Sequence, residues 1–133
     1  MRVFLDTNVL VAAFATRGIC ADLFRAVLLE HDLITGEPVL REIHRVLVRK
    51  LKFPEPQTRE IIRFLRDHAE VTNPKKAASW PETDSDDRWI VAAALEGKAE
   101  ILVTGDKDLL EAKTQTDIRV VSPRGFWELL KAD

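Results

Sequence analysis

The chain has 133 residues and a hydrophobic content of 46%, which suits a single domain spanning 1–133 around one core, with no linker. Its formal net charge of -2 offers no general attraction to phosphate or anionic lipid, so any nucleic acid has to be met by a local basic surface. The lone Cys20 excludes an internal disulfide. With no secretory signal and no apolar stretch near the roughly 20 residues that span a bilayer, a soluble cytoplasmic protein with no membrane partner is expected.

The first strand signal is Val3-Phe4-Leu5, an apolar run that delivers Asp6, Thr7 and Asn8 at its C-terminal end. Helical spacing follows through residues 9–14 and 21–29, with Gly18 between the two pieces. Residues 32–35 read as a second strand ended by Gly36, and Pro38 suits the first turn of a helix running to about Lys50. Pro54 and Pro56 break the chain before a helix at about 57–68; residues 69–72 form a weak third strand and 73–81 a surface loop. Residues 83–87 open a helix to about Glu96, with Gly97 placed where glycine commonly ends helices. A fourth strand at 101–104, a short helix at 106–113, a fifth strand at 118–121 and a helix at 123–131 complete the chain. Strands separated by helices imply a parallel sheet with right-handed crossovers, an α/β/α sandwich whose ligand crevice lies beyond the C-terminal strand ends.

Acidic residues fall at those ends. Asp6 suits a helix N-cap, worth about 1 kcal/mol, or a reagent in the crevice. Glu42 stands at the edge of an inward stripe made by Val39, Leu40, Ile43, Val46 and Leu47, and could equally form a surface ion pair with Arg45. Asp84, Asp86 and Asp87 begin a helix and complement its dipole, Asp84 and Asp87 at capping-box spacing. Asp87, however, shares a face with Ile90, Val91 and Ala94, where an unpaired charge is costly. Asp106, after Gly105, can cap a short helix, with Asp108 as its first-turn dipole partner. No lysine or arginine is obviously placed among Asp6, Glu42, Asp87 and Asp106, so such a cluster calls for a cation. Hard oxygen donors suit Mg²⁺ or Mn²⁺, whereas zinc would want a Cys and His set that is absent; His31, His44 and His68 read as ordinary helix residues.

These motifs resemble the PIN-domain nucleases, especially the VapC-like toxins of bacterial and archaeal toxin–antitoxin pairs, along the whole chain. Leu5-Asp6-Thr7-Asn8-Val9-Leu10 is similar to the opening motif, with Asp6 as first metal-site acid and Asn8 as polar support. Val39-Leu40-Arg41-Glu42-Ile43 resembles the helix carrying the second acid, Glu42. Asp87-Arg88-Trp89-Ile90-Val91-Ala92-Ala93-Ala94 resembles the third-acid helix, selecting Asp87, although Asp84 could join the site. Val103-Thr104-Gly105-Asp106-Lys107-Asp108 resembles the last motif, with Asp106 as fourth acid, Thr104 as neighbour and Asp108 in support. The resemblance implies a five-stranded parallel sheet, an Mg²⁺- or Mn²⁺-dependent ribonuclease, a cognate antitoxin and frequent homodimers.

A local basic stretch agrees with an RNA substrate. Arg41, Arg45 and Arg49 at i+4 spacing make one ridge beside Glu42, which could steer phosphates, face solvent or dock an acidic partner. Trp80 and Trp127 read as packing or as exposed stacking surfaces for bases, and Trp89 as packing. Two other classes compete. A haloacid-dehalogenase-like phosphatase needs a second aspartate two residues after the first, where this chain has Asn8. A PIN scaffold that binds RNA or protein without cutting would not need all four acids.

Overall fold

In the computed structural model, which describes residues 1–80, 85–112 and 117–132, the first apolar run forms the central strand β1 (Arg2–Leu5). Val3, Phe4 and Leu5 are fully buried, as expected for a strand covered on both faces. Beside it lie β2 (Asp32–Gly36) and β4 (Ile101–Val103), and outside those β3 (Glu70–Thr72) and β5 (Arg119–Val121). The order is β3-β2-β1-β4-β5 and every pairing is parallel. Helices α1 (Thr7–Ala15), α2 (Ile19–Glu30), α3 (Glu37–Arg45), α4 (Glu55–His68), α5 (Ser85–Glu96), α6 (Lys107–Glu111) and α7 (Pro123–Ala132) flank the sheet. The α/β/α sandwich and five-stranded parallel sheet expected from the sequence are therefore present. No described helix is long and apolar enough to cross a membrane.

Strand order decides where chemistry can sit. From β1 the chain steps outward to β2 and β3, then returns across the sheet to β4 and β5. Right-handed crossovers send the connections of these two halves to opposite faces, which opens a crevice between the C-terminal ends of β1 and β4. Leu5 pairs with Val103 in the β1–β4 register, so Asp6 and Thr104 leave the sheet side by side.

Several local expectations need correction. Pro56 lies inside the first turn of α4, where its missing N–H is no loss, so the helix begins at Glu55. The helix expected to run to Lys50 leaves α geometry after Arg45 and continues as a π-helical turn, Val46–Lys50. Leu51 N donates to Val46 O at 3.1 Å and Phe53 N to Leu47 O at 2.9 Å, and the wider turn keeps Leu47 fully buried. Arg49, expected on one ridge with Arg41 and Arg45, lies within this π turn and is exposed.

α5 ends at Glu96 with Gly97 just past it, as expected, while the left-handed conformation falls to Lys98, at φ 54°. Space is what requires glycine at 97. A Cβ there would stand 2.4 Å from Ile34 Cγ2 and 3.3 Å from Thr72 Cγ2. The Gly97 carbonyl accepts from Arg2 Nε at 2.9 Å and Nη2 at 2.6 Å, placing a cation at the helix C-terminus, and Arg2 also pairs with Glu70 on β3. Gly36 has a related role, since its Cβ would meet Ala93 Cβ at 2.5 Å; α5 rests directly on β2. Gly97→Ala is expected to destabilise the fold by about 1–3 kcal/mol through overpacking, whereas Gly18→Ala, with open space around it, should change stability by less than about 0.5 kcal/mol. Urea unfolding of both variants checks the difference; equal midpoints would contradict the close-approach account.

Candidate metal centre

Asp6 stands at the mouth of the crevice and is only 5% exposed. It caps α1, with Oδ1 accepting from Thr7 N at 2.7 Å. Its other oxygen, Oδ2, accepts from Thr104 Oγ1 at 2.6 Å. Thr104 Oγ1 in turn accepts from Asp106 N at 3.0 Å, which commits the hydroxyl proton to Asp6. Both Asp6 oxygens thus face donors, the pattern that suits a carboxylate. The fully buried Thr104 ties the ends of β1 and β4 together.

Asp106 caps α6 as expected, Oδ1 accepting from Asp108 N at 2.8 Å and from Leu109 N at 3.4 Å. Gly105 needs no positive φ to make this turn. Asp108 is exposed, and its backbone N–H is what reaches Asp106. Asn8 is exposed on the first turn of α1.

Glu42, half-buried on α3, approaches from the β2 side of the crevice. The surface pair weighed from the sequence is present in loose form, Arg45 Nη2 lying 4.0 Å from Glu42 Oε2. Arg45 and Arg41 also line the same cavity as Glu42, in line with the basic ridge expected beside it. On α5, Asp87 is buried at 8% exposure and begins the inward stripe of Ile90, Val91 and Ala94, as its spacing implied. Asp86 is exposed and lines the cavity beside Glu42. Asp84 lies outside the described residues, so its capping-box spacing with Asp87 is untouched by the structure.

Burial is the main force pushing the Asp6 carboxyl above its ordinary value; the Thr104 and Thr7 hydrogen bonds oppose it and the Asp106 charge adds to it. Glu42 is raised as well, first by burial, against the pull of Thr7, with Asp6 raising it, Arg45 lowering it and Asp86 raising it. The repulsion therefore runs in linked pairs: Asp106 with Asp6, Asp6 with Glu42, and Glu42 with Asp86. Thr7 Oγ1 is buried and faces Glu42 without the geometry of a full hydrogen bond. Among the described residues, no three His, Cys, Asp or Glu side chains already ring a metal position. The donor chemistry nonetheless fits a hard cation. Asp6, Glu42 and Asp106 are oxygen donors, Asp6 repelling each of the other two, and the Thr7 hydroxyl is buried beside Asp6 and Glu42. The histidines are engaged elsewhere: His44 with Glu55 at 2.5 Å, His68 stacked on Phe64, and His31 beside the N-terminus at 3.2 Å.

Sequence reasoning missed three neighbours of this site. Thr7 was left without a task; its signal was its place beside Asp6 on a buried turn. Asp86 was passed over because it points away from the inward stripe, and that same phase brings it to the cavity. Trp89 was read as packing, yet with Asp86 and Ile90 it forms the α5 wall of the cavity.

The fold is thus a doubly wound parallel α/β sheet with an acidic crevice at its switch point. Residues 2–108 match the PIN domain family, and the chain belongs to it. Its fold is similar to that of VapBC2 from Rickettsia felis, solved bound to a DNA fragment from their promoter (TM-score 0.67, 14% identity, 92% of this chain and 98% of the other). It is likewise similar to VapBC-1 from nontypeable Haemophilus influenzae (TM-score 0.67, 20% identity, 93% and 99%). FitAcB from Neisseria gonorrhoeae shares the fold at a TM-score of 0.60, with 15% identity over 92% of this chain and 98% of the other. No curated protein matches the chain by sequence.

Asp6 and Glu42 hold protons more tightly folded than unfolded. Without a cation they favour the fold below the ordinary carboxylate range, and that contribution is lost as pH rises through the raised folded values. Glu37, lowered mainly by its Arg66 hydrogen bond, acts in the opposite sense and is common to wild type and Asp6 variants. In EDTA, Asp6→Asn, which caps α1 as well as Asp does, is expected to melt above wild type at neutral pH. The gap should shrink as pH falls toward the ordinary carboxylate range. Thermal melts across pH check this; a gap that widens on acidification would contradict it.

Proposed function

We propose that the protein is an Mg²⁺- or Mn²⁺-dependent endoribonuclease and the toxin of a toxin–antitoxin pair. The observation carrying this reading is the buried Asp6, whose oxygens are both oriented by donors while Asp106 and Glu42 repel it from two sides. Asp6, Glu42 and Asp106 would hold the ion, with Asp87 as the fourth acid on α5. Bound there, the ion supplies a Lewis acid that activates water and offsets charge on an RNA phosphodiester.

The chain's own groups do the positioning. Thr104 fixes the Asp6 carboxylate and, through the Asp106 backbone N–H, its distance from the second acid on the β4 side. Arg41 and Arg45 offer guanidinium forks to phosphates flanking the cut. Arg49, exposed on the π turn beyond them, is the third cation of that basic stretch. Asn8 and Asp108, exposed at the first turns of α1 and α6, are left as polar supports at the rim. A protein histidine is not needed as base. The toxin assignment rests on the motif resemblance and on the fold shared with the VapBC and FitAcB structures; a cognate antitoxin, a homodimer and a cytoplasmic setting accompany it.

Purified protein should cleave RNA when Mg²⁺ or Mn²⁺ is supplied and stop in EDTA. Asp6→Asn, Glu42→Gln and Asp106→Asn should each lose nearly all cleavage. Thr104→Val should fall about 10- to 100-fold, with Thr104→Ser close to wild type, as expected of a group that orients a ligand. Gel analysis of end-labelled RNA checks the series; cleavage undiminished in Asp6→Asn would overturn the mechanism.

A further inference from the structure

Between α3 and α5 lies a cavity of about 340 Å³ that shares Glu42 with the acidic crevice. Its lining mixes charges. Arg41 and Arg45, one helical turn apart on α3, supply the cations, and Glu42, between them, and Asp86 on α5 supply the carboxylates. Trp89 closes the α5 wall and Pro38 the base of α3. A volume near 300 Å³ is at the small end of ligand pockets and suits one nucleotide-sized guest.

Trp89 differs from the other indoles. Trp80 is buried at 6% exposure in the core, which corrects the expectation that it could be an exposed stacking surface. Trp127 packs against the core on α7 with Lys131 Nζ 5.7 Å from its ring centroid. Trp89 is half-buried, and the side chain borders the cavity one turn after Asp86. An aromatic surface beside two guanidinium groups is the combination that binds an unpaired nucleotide, base on ring and phosphate on fork.

We propose that this cavity is a subsite for one unpaired ribonucleotide flanking the scissile phosphodiester, with Trp89 carrying the base and Arg41 and Arg45 its phosphate. The inference rests on the nuclease reading for its substrate and not for its binding chemistry. Bases paired in a duplex are already stacked, so the subsite selects single strands.

Fluorescence anisotropy with labelled oligoadenylate, oligouridylate and an RNA duplex tests it on the full chain in the Asp6→Asn background. Trp89→Leu should weaken single-strand binding about 5- to 100-fold and Trp89→Phe much less, with duplex binding weak throughout. Arg41→Ala and Arg45→Ala should each flatten the salt dependence. In the parent protein, a 5-iodouridine oligonucleotide should crosslink to Trp89, a readout that does not depend on variant folding. Unchanged affinity in a folded Trp89→Leu protein, crosslinks confined to other residues, or no measurable single-strand binding would overturn the subsite. Trp89-dependent binding by a protein that cleaves no RNA in wild-type form would instead overturn the nuclease reading and leave the subsite standing.

Discussion

The Asp6 carboxylate has given up its water, taken one hydrogen bond from a backbone N–H and one from the Thr104 hydroxyl, and is pressed by charge from Asp106 and Glu42. Among the described residues, Asp6 and Asp87 are the buried carboxylates, and Asp6 stands at the end of the central strand. β1 has to lie between β2 and β4 for Asp6 to reach the switch point, and β4 has to stand in register for Thr104 to meet it. The short α6 then brings Asp106 back toward the same crevice through its own cap. Two helix caps thus double as site walls, which explains why each acid taken alone has an adequate structural reason to be there.

The architecture was readable because the apolar runs and their breaks are strong: five short strands between amphipathic helices leave little choice but a parallel sheet. Asp6 and Asp106 were readable for the same reason, as residues that follow strands directly. Glu42 and Asp87 were legible through helical phase, one at the edge of an apolar stripe and one leading it. What failed depended on tertiary contact. The need for glycine at 97 comes from Ile34 and Thr72, distant in sequence, and the φ sign fell to Lys98. The π turn after Arg45 follows from burying Leu47, and no periodicity count separates it from a continuing α-helix. Trp80, open in the sequence between packing and stacking, is buried in the core, whereas Trp89, which reads as packing, lines the cavity between α3 and α5.

On the other side of the crevice, Arg41 and Arg45 share a cavity with Glu42, Asp86 and Trp89. A chain with net charge -2 can in this way present cations locally without a basic face.

In the proposed function Asp6, which repels both Asp106 and Glu42, shares a divalent ion with them. Anomalous diffraction from crystals grown with Mn²⁺ tests it most directly. The account requires a manganese peak within coordination distance of Asp6 and at least one of Glu42 and Asp106; a peak elsewhere, or a crevice free of metal at saturating Mn²⁺, would contradict it.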